Sequence, residues 1–194
     1  MENYQQKLNE YINKMSGKEA LALHSCCGPC SSYCISYLAD YFDITLYYYN
    51  PNIYPEEEYR RRLTTQLKLC NILGVKYAEC EYKPYIFDEY VKGFEKEKEG
   101  GKRCEKCFEM RLDYTAAAAK QDGIKLFTTT LTVSPHKNAQ VINKIGEAIA
   151  EKYNMFWLPS DFKKNDGYKK SIELSKEYDL YRQNYCGCRY SVRD

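Results

Sequence analysis

The stretch ALALHSCCGPCSSYCISYLADYF (20–42) reads as a strand, a tight turn and a helix in immediate succession. Ala20 to His24 form a short apolar run of the kind that suits a buried parallel strand. SSYCISYLADYF (31–42) then has helical spacing, with Ser31 or Ser32 placed to cap it. Cys26, Cys27 and Cys30 fall between the two, where a strand hands the chain to a helix. Thiols at that point sit at the end of a strand, the usual place for ligands in an α/β sheet.

The same alternation continues outward. Leu8, Tyr11, Ile12 and Met15 mark a helix within 2–15, and ITLYYYN (44–50) is a second strand halted by Asn50-Pro51-Asn52. Pro55 opens EEEYRRRLTTQLKLCNILG, a helix with an acidic first turn and Gly74 at its end. Its Tyr59, Leu63, Leu67 and Cys70 share one face. VKYAECEY (75–82) is a third strand; 84–102 holds an amphipathic piece and then the charged EKEKEGGKR. A helix runs from Cys104 to Gly123, and KLFTTTLTV (125–133) is a fourth strand. Ser134-Pro135 opens a helix to about Tyr153, MFWLP (155–159) is a fifth strand, and 167–178 is a last helix before a cysteine-rich tail. This pattern predicts one α/β domain over 1–194, a parallel five-stranded sheet in the order 3-2-1-4-5 with helices on both faces. The tail (181–194) must fold back if its cysteines are to join the same sheet edge.

Composition narrows the function. The net charge of +2, from 29 basic and 27 acidic residues, gives no global attraction to polyanions, so any such contact needs a local patch. The 21 tyrosines read as strand propensity and compositional bias. The N-terminal run ENYQQKLNEYINKMSGKE lacks signal architecture, and no apolar window approaches the roughly 20 residues that span a bilayer. The expectation is a cytoplasmic protein with no membrane partner. In that compartment ten cysteines argue against a disulfide framework and for metal or redox chemistry.

The cysteines sort into three tight groups, Cys26/Cys27/Cys30, Cys104/Cys107 and Cys186/Cys188, while Cys34, Cys70 and Cys80 stand singly in helix or strand patterns. The CxxC spacing lets two thiolates reach one metal from a single backbone turn. Strands one and four are neighbours in the predicted order, so the first two groups meet at the switch point. A structural zinc or a [4Fe–4S] cluster takes four thiolates, and seven clustered cysteines suggest four plus three. A cluster beside a three-thiol site fits that count, as does a cluster beside a Cys-x-Cys redox pair with one spare thiol; a single zinc knuckle is the simpler reading. CGPC is the thioredoxin motif by spelling only, since Cys26 stands where that motif has Trp and the element order differs.

Five blocks carry a resemblance: HSCCGPC (24–30), YYNPNIYPEEEYRRR (48–62), KRCEKCFEMRL (102–112), FTTTLTVSPHKN (127–138) and YRQNYCGCRYS (181–191). In this order they resemble the cobalamin-independent epoxyqueuosine reductase family, QueH. The resemblance implies a HUP-type, Rossmann-like fold and reduction of epoxyqueuosine to queuosine at the wobble position of tRNA, with an external electron donor. It implies a [4Fe–4S] cluster on Cys26, Cys27, Cys104 and Cys107. Cys186 and Cys188 would then form a redox-active pair or, with Cys30, hold an adjacent iron. An Asp can stand at the Cys30 position in this family, and either residue can ligate iron.

Turning an epoxide into an alkene takes two electrons and two protons and releases water. A low-potential cluster is expected to supply the electrons, an open iron to act as Lewis acid on the epoxide oxygen, and an acid the sequence does not single out to protonate it. Asn50, Asn52, Thr129, Ser134 and Arg182 are the expected substrate contacts, with the NH groups of a helix opening at Ser134 as a phosphate site. Arg60 to Arg62, Lys163, Lys164, Lys169, Lys170 and Arg189 are candidates for the tRNA backbone, and Tyr48 or Tyr185 for stacking on an extruded base. His24 either orients a cluster ligand or is a satisfied core histidine. A nucleotide-activating tRNA-thiolation enzyme would share the fold but needs a Ser-Gly-Gly-rich pyrophosphate loop after strand one, which HSCCGPC is not.

Overall fold

Leu21 and Leu23 of β1 (Glu19–His24) pack into one hydrophobic cluster and Ala22 into another, so the first strand is covered on both faces. The computed structural model describes residues 2–192. β1 pairs in parallel with β2 (Phe42–Tyr47) and β4 (Leu126–Thr129), and β3 (Lys76–Ala78) and β5 (Phe156–Trp157) complete the order β3-β2-β1-β4-β5. The predicted five-stranded parallel α/β fold and its strand order are therefore observed. Residues 193 and 194 of the expected tail lie outside the described residues.

One face carries α1 (Tyr4–Asn13), α2 (Gly28–Leu38), α3 (Glu56–Leu73) and α7 (Gly167–Glu177), whose Leu8, Ile35, Leu69 and Leu174 share a cluster with Leu21 and Leu23. The other carries α4 (Pro84–Tyr90), α5 (Lys102–Gln121) and α6 (Ala139–Tyr153), whose Phe87, Leu112 and Ile142 pack with Ala22. Because successive strand side chains alternate in direction, one strand feeds both layers.

Several boundaries differ from the sequence expectation, each for a local reason. α2 begins at Gly28, not Ser31: Pro29 in the first turn presets the helical φ, and Cys27 is the N-cap without a side-chain cap bond. Ser31 and Ser32 instead donate back to the carbonyls of Cys27 and Pro29. β4 stops at Thr129, where the threonine oxygen accepts from Leu131 N–H and starts a 3-10 turn over Thr130–Val133. α6 begins at Ala139 under an Asn138 cap, so no helix opens at Ser134 and the phosphate site expected there is absent. The buried face of α3 is also shifted. Leu67 is exposed while Arg62 and Gln66 are buried. Gly74 ends α3 in the left-handed region, as its position implied.

Candidate metal centre

β1 delivers the chain to its carboxyl edge, and α2 leaves from there. The extended backbone at Cys27 turns the strand into the helix, and Gly28 makes the turn possible at close range. A Cβ on Gly28 would lie 2.9 Å from Thr65 Cγ2 of α3. Beneath the turn, Gln66 Oε1 accepts from Ser25 Oγ at 2.6 Å, with Ser31 Oγ 2.9 Å away, and Asn50 Nδ2 donates to the Ser25 carbonyl at 2.8 Å. This buried network holds the loop from below, which accounts for a glutamine on the inner face of α3.

The loop gathers Cys26, Cys27 and Cys30 with their ligand atoms within 4.8 Å of one another. The Cys26 and Cys27 sulfurs are 3.9 Å apart, and Thr130 takes the Cys26 N–H at 3.1 Å while its hydroxyl donates to Cys26 Sγ at 3.4 Å. The proton balance within the trio is unequal. Hydrogen bonds from Cys27 and Cys30 pull the Cys26 thiol well below its ordinary range, against burial and with help from Lys137. Cys27 is pushed up to about 12, chiefly by its bond to Cys26, and Cys30 rises for the same reason. Three cysteine sulfurs held this close form a preformed soft donor set.

Cys104 and Cys107 lie in the first two turns of α5, with the Gly100 N–H on Cys104 Sγ at 3.2 Å. Burial pushes Cys107 up to about 12, and the adjacent Arg111 guanidinium opposes the rise. Cys186 and Cys188 come from the tail. Gly187 O accepts from Tyr54 N–H at 2.8 Å, and the buried Arg62 donates to the carbonyls of Cys186 at 3.1 Å and Tyr185 at 3.3 Å while pairing with Glu58 at 2.6 Å. Gly187 has φ +121°, and a Cβ there would fall 2.9 Å from the Arg62 guanidinium. Only glycine adopts that backbone without strain.

Two cavities meet among these groups. The first, about 150 Å³, has Cys104, Cys107, Cys186 and Cys188 on its wall together with Asn52 and Arg103. The second, about 190 Å³, has Cys26, Cys30 and Cys186 on its wall with Ser134, Arg182 and Tyr185. Glu99, Arg111, His136, Lys137 and Cys186 border both. Three side chains on the first cavity carry buried polar atoms with no partner, Asn52 Oδ1, Arg103 Nε and Arg111 Nη2, and Gln183 Oε1 on the second is in the same state. Buried orphan donors and acceptors are costly; the two arginine donors fit an anionic, metal-centred occupant, and the two amide oxygens fit a donor group on whatever enters beside it. Seven clustered thiols, with Glu99 on both cavity walls and Glu105 on the first, favour a soft metal or an iron–sulfur cluster over calcium or magnesium.

Of the expected substrate contacts, Asn52, Ser134 and Arg182 line the cavities. Asn50 and Thr129 do not. Asn50 is consumed by Ser25 and Arg111, and Thr129 by His24 and Leu131. His24 is a satisfied core histidine. Its Nε2–H donates to the Tyr49 carbonyl at 3.3 Å, which leaves Nδ1 to accept from Thr129 at 2.8 Å, and burial lowers its pKa to about 3. Tyr48 is fully buried against Tyr59, so it cannot stack on a base. Arg62 faces inward to the tail, whereas Arg60 and Arg61 are exposed, Arg61 lying over the Tyr181 ring. Arg60 pairs with Glu56, Lys163 with Asp161 and Arg189 with Asp88, leaving Arg61, Lys164, Lys169, Lys170 and Arg182 as the exposed candidates without an ion pair among the described residues. Sequence reasoning missed Arg111 and Lys137. Arg111 had a signal, since it stands one helical turn after Cys107 and must share its face.

A parallel sheet with a thiol-walled site at the β1/β4 switch point defines a Rossmann-like α/β protein of metal or redox chemistry. Comparison with known proteins narrows this class. The family described as Epoxyqueuosine reductase QueH matches residues 21–194, and the chain belongs to that family of oxidoreductases. It is 42% identical to the epoxyqueuosine reductase QueH of Streptococcus pyogenes, covering 97% of this chain and 76% of that one. It is 44% identical to that of Staphylococcus epidermidis, covering 98% and 84%. Among solved structures it is similar in fold to the U34-tRNA thiolase NcsA of Methanococcus maripaludis with its [4Fe-4S] cluster, with a TM-score of 0.56, 13% identity, and 98% of this chain and 67% of that one covered. It is also similar to an NMN synthetase from Francisella tularensis, with a TM-score of 0.51, 14% identity, and 95% and 75% covered. No helix among the described residues is long and apolar enough to cross a membrane.

Proposed function

We propose that this protein reduces epoxyqueuosine in the anticodon of tRNA to queuosine at a metal–thiolate centre on the carboxyl edge of its sheet, with electrons from an external donor. The observation that carries the reading is the arrangement of three cysteine groups around two adjoining cavities in a chain of the QueH family. The reaction balances as two C–O bonds broken, one C=C bond formed, two electrons and two protons taken up, and one water released.

A [4Fe–4S] cluster with an iron beside it would supply electrons one at a time and a Lewis acid for the epoxide oxygen. The expected cluster ligands are Cys26, Cys27, Cys104 and Cys107, with Cys30, Cys186 and Cys188 for the second metal or a redox pair. The cavity wall favours a second division, with Cys104, Cys107, Cys186 and Cys188 as the four and the compact Cys26, Cys27 and Cys30 as the three. Iron and sulfide content of single serine variants separates them. Under the first division Cys188→Ser keeps the cluster and Cys27→Ser loses it; under the second the outcomes are exchanged.

The chain's own groups define how a base is received. Asn52 Oδ1 offers an acceptor and Arg111 Nη2 a donor on the first cavity. Arg182, stacked on Tyr168, and the half-buried Tyr185 border the second cavity, where an extruded base would enter. Lys164, Lys169 and Arg61 are placed to take backbone phosphates by charge alone. The deciding experiment is anaerobic incubation of purified protein with a chemical reductant and tRNA carrying epoxyqueuosine, followed by nucleoside mass spectrometry. Queuosine is the expected product; unchanged epoxyqueuosine with iron-loaded protein refutes the assignment.

A further inference from the structure

Arg111 is a buried cation without an anionic partner. Its Nε donates to the Cys107 carbonyl at 3.2 Å and its Nη1 to Asn50 Oδ1 at 3.3 Å, while Nη2 has no partner. It forms no ion pair among the described residues, although it is only 2% exposed. Burying a charge with two neutral acceptors for compensation is expensive, and a folded chain retains such a group only where something anionic offsets it. Its guanidinium lies 5.7 Å from the Phe108 ring centre, and the cavity walls it shares carry Cys26, Cys30, Cys104, Cys107, Cys186 and Cys188, from all three cysteine groups, with Glu99 the carboxylate on both walls. Arg111 also forms part of the wall of both cavities. Lys137 is the other cation there, drawn by Cys186, Cys26 and Cys30.

We propose that Arg111 is the charge-compensating residue of the thiolate centre, a fixed cation shared by the two cavities that sets the potential at which the centre accepts an electron. The inference rests on the metal-centre reading above. A thiolate-ligated cluster is anionic and gains one further negative charge on reduction, so a nearby fixed cation favours the reduced form and raises the potential. Asn50 holds the guanidinium in register: its Oδ1 takes Nη1, and its Nδ2 is anchored on the carbonyl of Ser25, next to Cys26. The cation is thereby tied to the loop of the first cysteine group as well as to the helix of the second.

The test is a redox titration of anaerobically reconstituted holoprotein, followed by electron paramagnetic resonance, for wild type, Arg111→Gln and Arg111→Lys. Wild-type iron and sulfide content is measured first, and protein that binds neither overturns the metal-centre reading and this inference with it. With wild type loaded, Arg111→Gln is expected to have a more negative midpoint potential and Arg111→Lys to stay close to wild type. A loaded Arg111→Gln protein with the wild-type midpoint overturns the proposal, as does an Arg111→Lys protein that shifts as far as Arg111→Gln. Where Arg111→Gln fails to load, the lysine variant decides. Restored iron and sulfide support a charge role, and equal failure assigns Arg111 to packing and hydrogen bonding alone.

Discussion

Arg62 ties α3 to the tail, and replacing it by alanine should free the segment that carries Cys186 and Cys188. Two charge-assisted hydrogen bonds, to the carbonyls of Cys186 and Tyr185, disappear. Glu58 loses its partner at 2.6 Å and keeps only the Tyr181 hydroxyl at 3.1–3.2 Å. Bonds from a charged donor contribute ~1.5–3 kcal/mol each, and the largely buried carboxylate left behind adds to the loss, so the docked tail should weaken by at least roughly 3 kcal/mol. That figure raises local opening roughly a hundredfold. Hydrogen exchange read by mass spectrometry on a peptide spanning 181–192 should show that acceleration, with a peptide from β4 unchanged as internal control. Arg62→Lys should fall between, because an ammonium can still pair with Glu58 but cannot reach two carbonyls as a fork does. Wild-type exchange in the tail of Arg62→Ala would mean that the Tyr54–Gly187 bond and cavity packing hold the tail, and the clamp argument would be wrong.

Three further outcomes are expected. Gly28→Ala should destabilise the fold by about 1–3 kcal/mol through the 2.9 Å contact with Thr65 Cγ2, and adding Thr65→Ser, which removes that methyl, should recover most of it in urea denaturation. Gly146→Ala drives a Cβ into the Trp157 ring, so it should lower Tm by several degrees without changing the iron content of the loaded protein, because this contact lies on α6 and β5 away from the cysteines. Cys104→Ser and Cys107→Ser should each lose cluster iron and turnover, measured by iron and sulfide assay and by nucleoside analysis; full activity in either removes that residue from the ligand set.

The strand order was readable because it depends on alternation and handedness, which survive errors at element ends. The ends themselves depended on competition between local signals. Thr128 to Thr130 look like strand throughout, yet the Thr129 hydroxyl captures the Leu131 N–H and stops the ladder. Ser134-Pro135 has the spelling of a helix start, but Asn138 supplies the cap that is used. At the site, the cysteines announce themselves by spacing. Their supports do not: Gln66 and Arg62 belong to a run that reads as a solvated helix face, and their partners lie in the turn after β1, on α2 and in the tail. Long-range hydrogen bonds of that kind leave no periodic trace. The substrate list suffered similarly, since Asn50 and Thr129 lie at strand ends as expected but spend their hydrogen bonds inside the protein.

The Arg62 clamp also bears on synthesis. A ribosome releases the Cys26–Cys30 loop first and the CxxC helix later, and the two tail cysteines only after every strand of the sheet has been made. The order of manufacture thus runs opposite to the order of enclosure, because the last-made thiols close the site, Cys186 on the wall of both cavities and Cys188 on that of the first. A nascent chain exposes five of the seven clustered thiols in an open groove, free to meet oxidants or stray metal ions. Docking of the tail onto Arg62 is then the step that turns a reactive intermediate into a closed receptacle, and cells that make this protein need scavenging or reducing capacity during that interval.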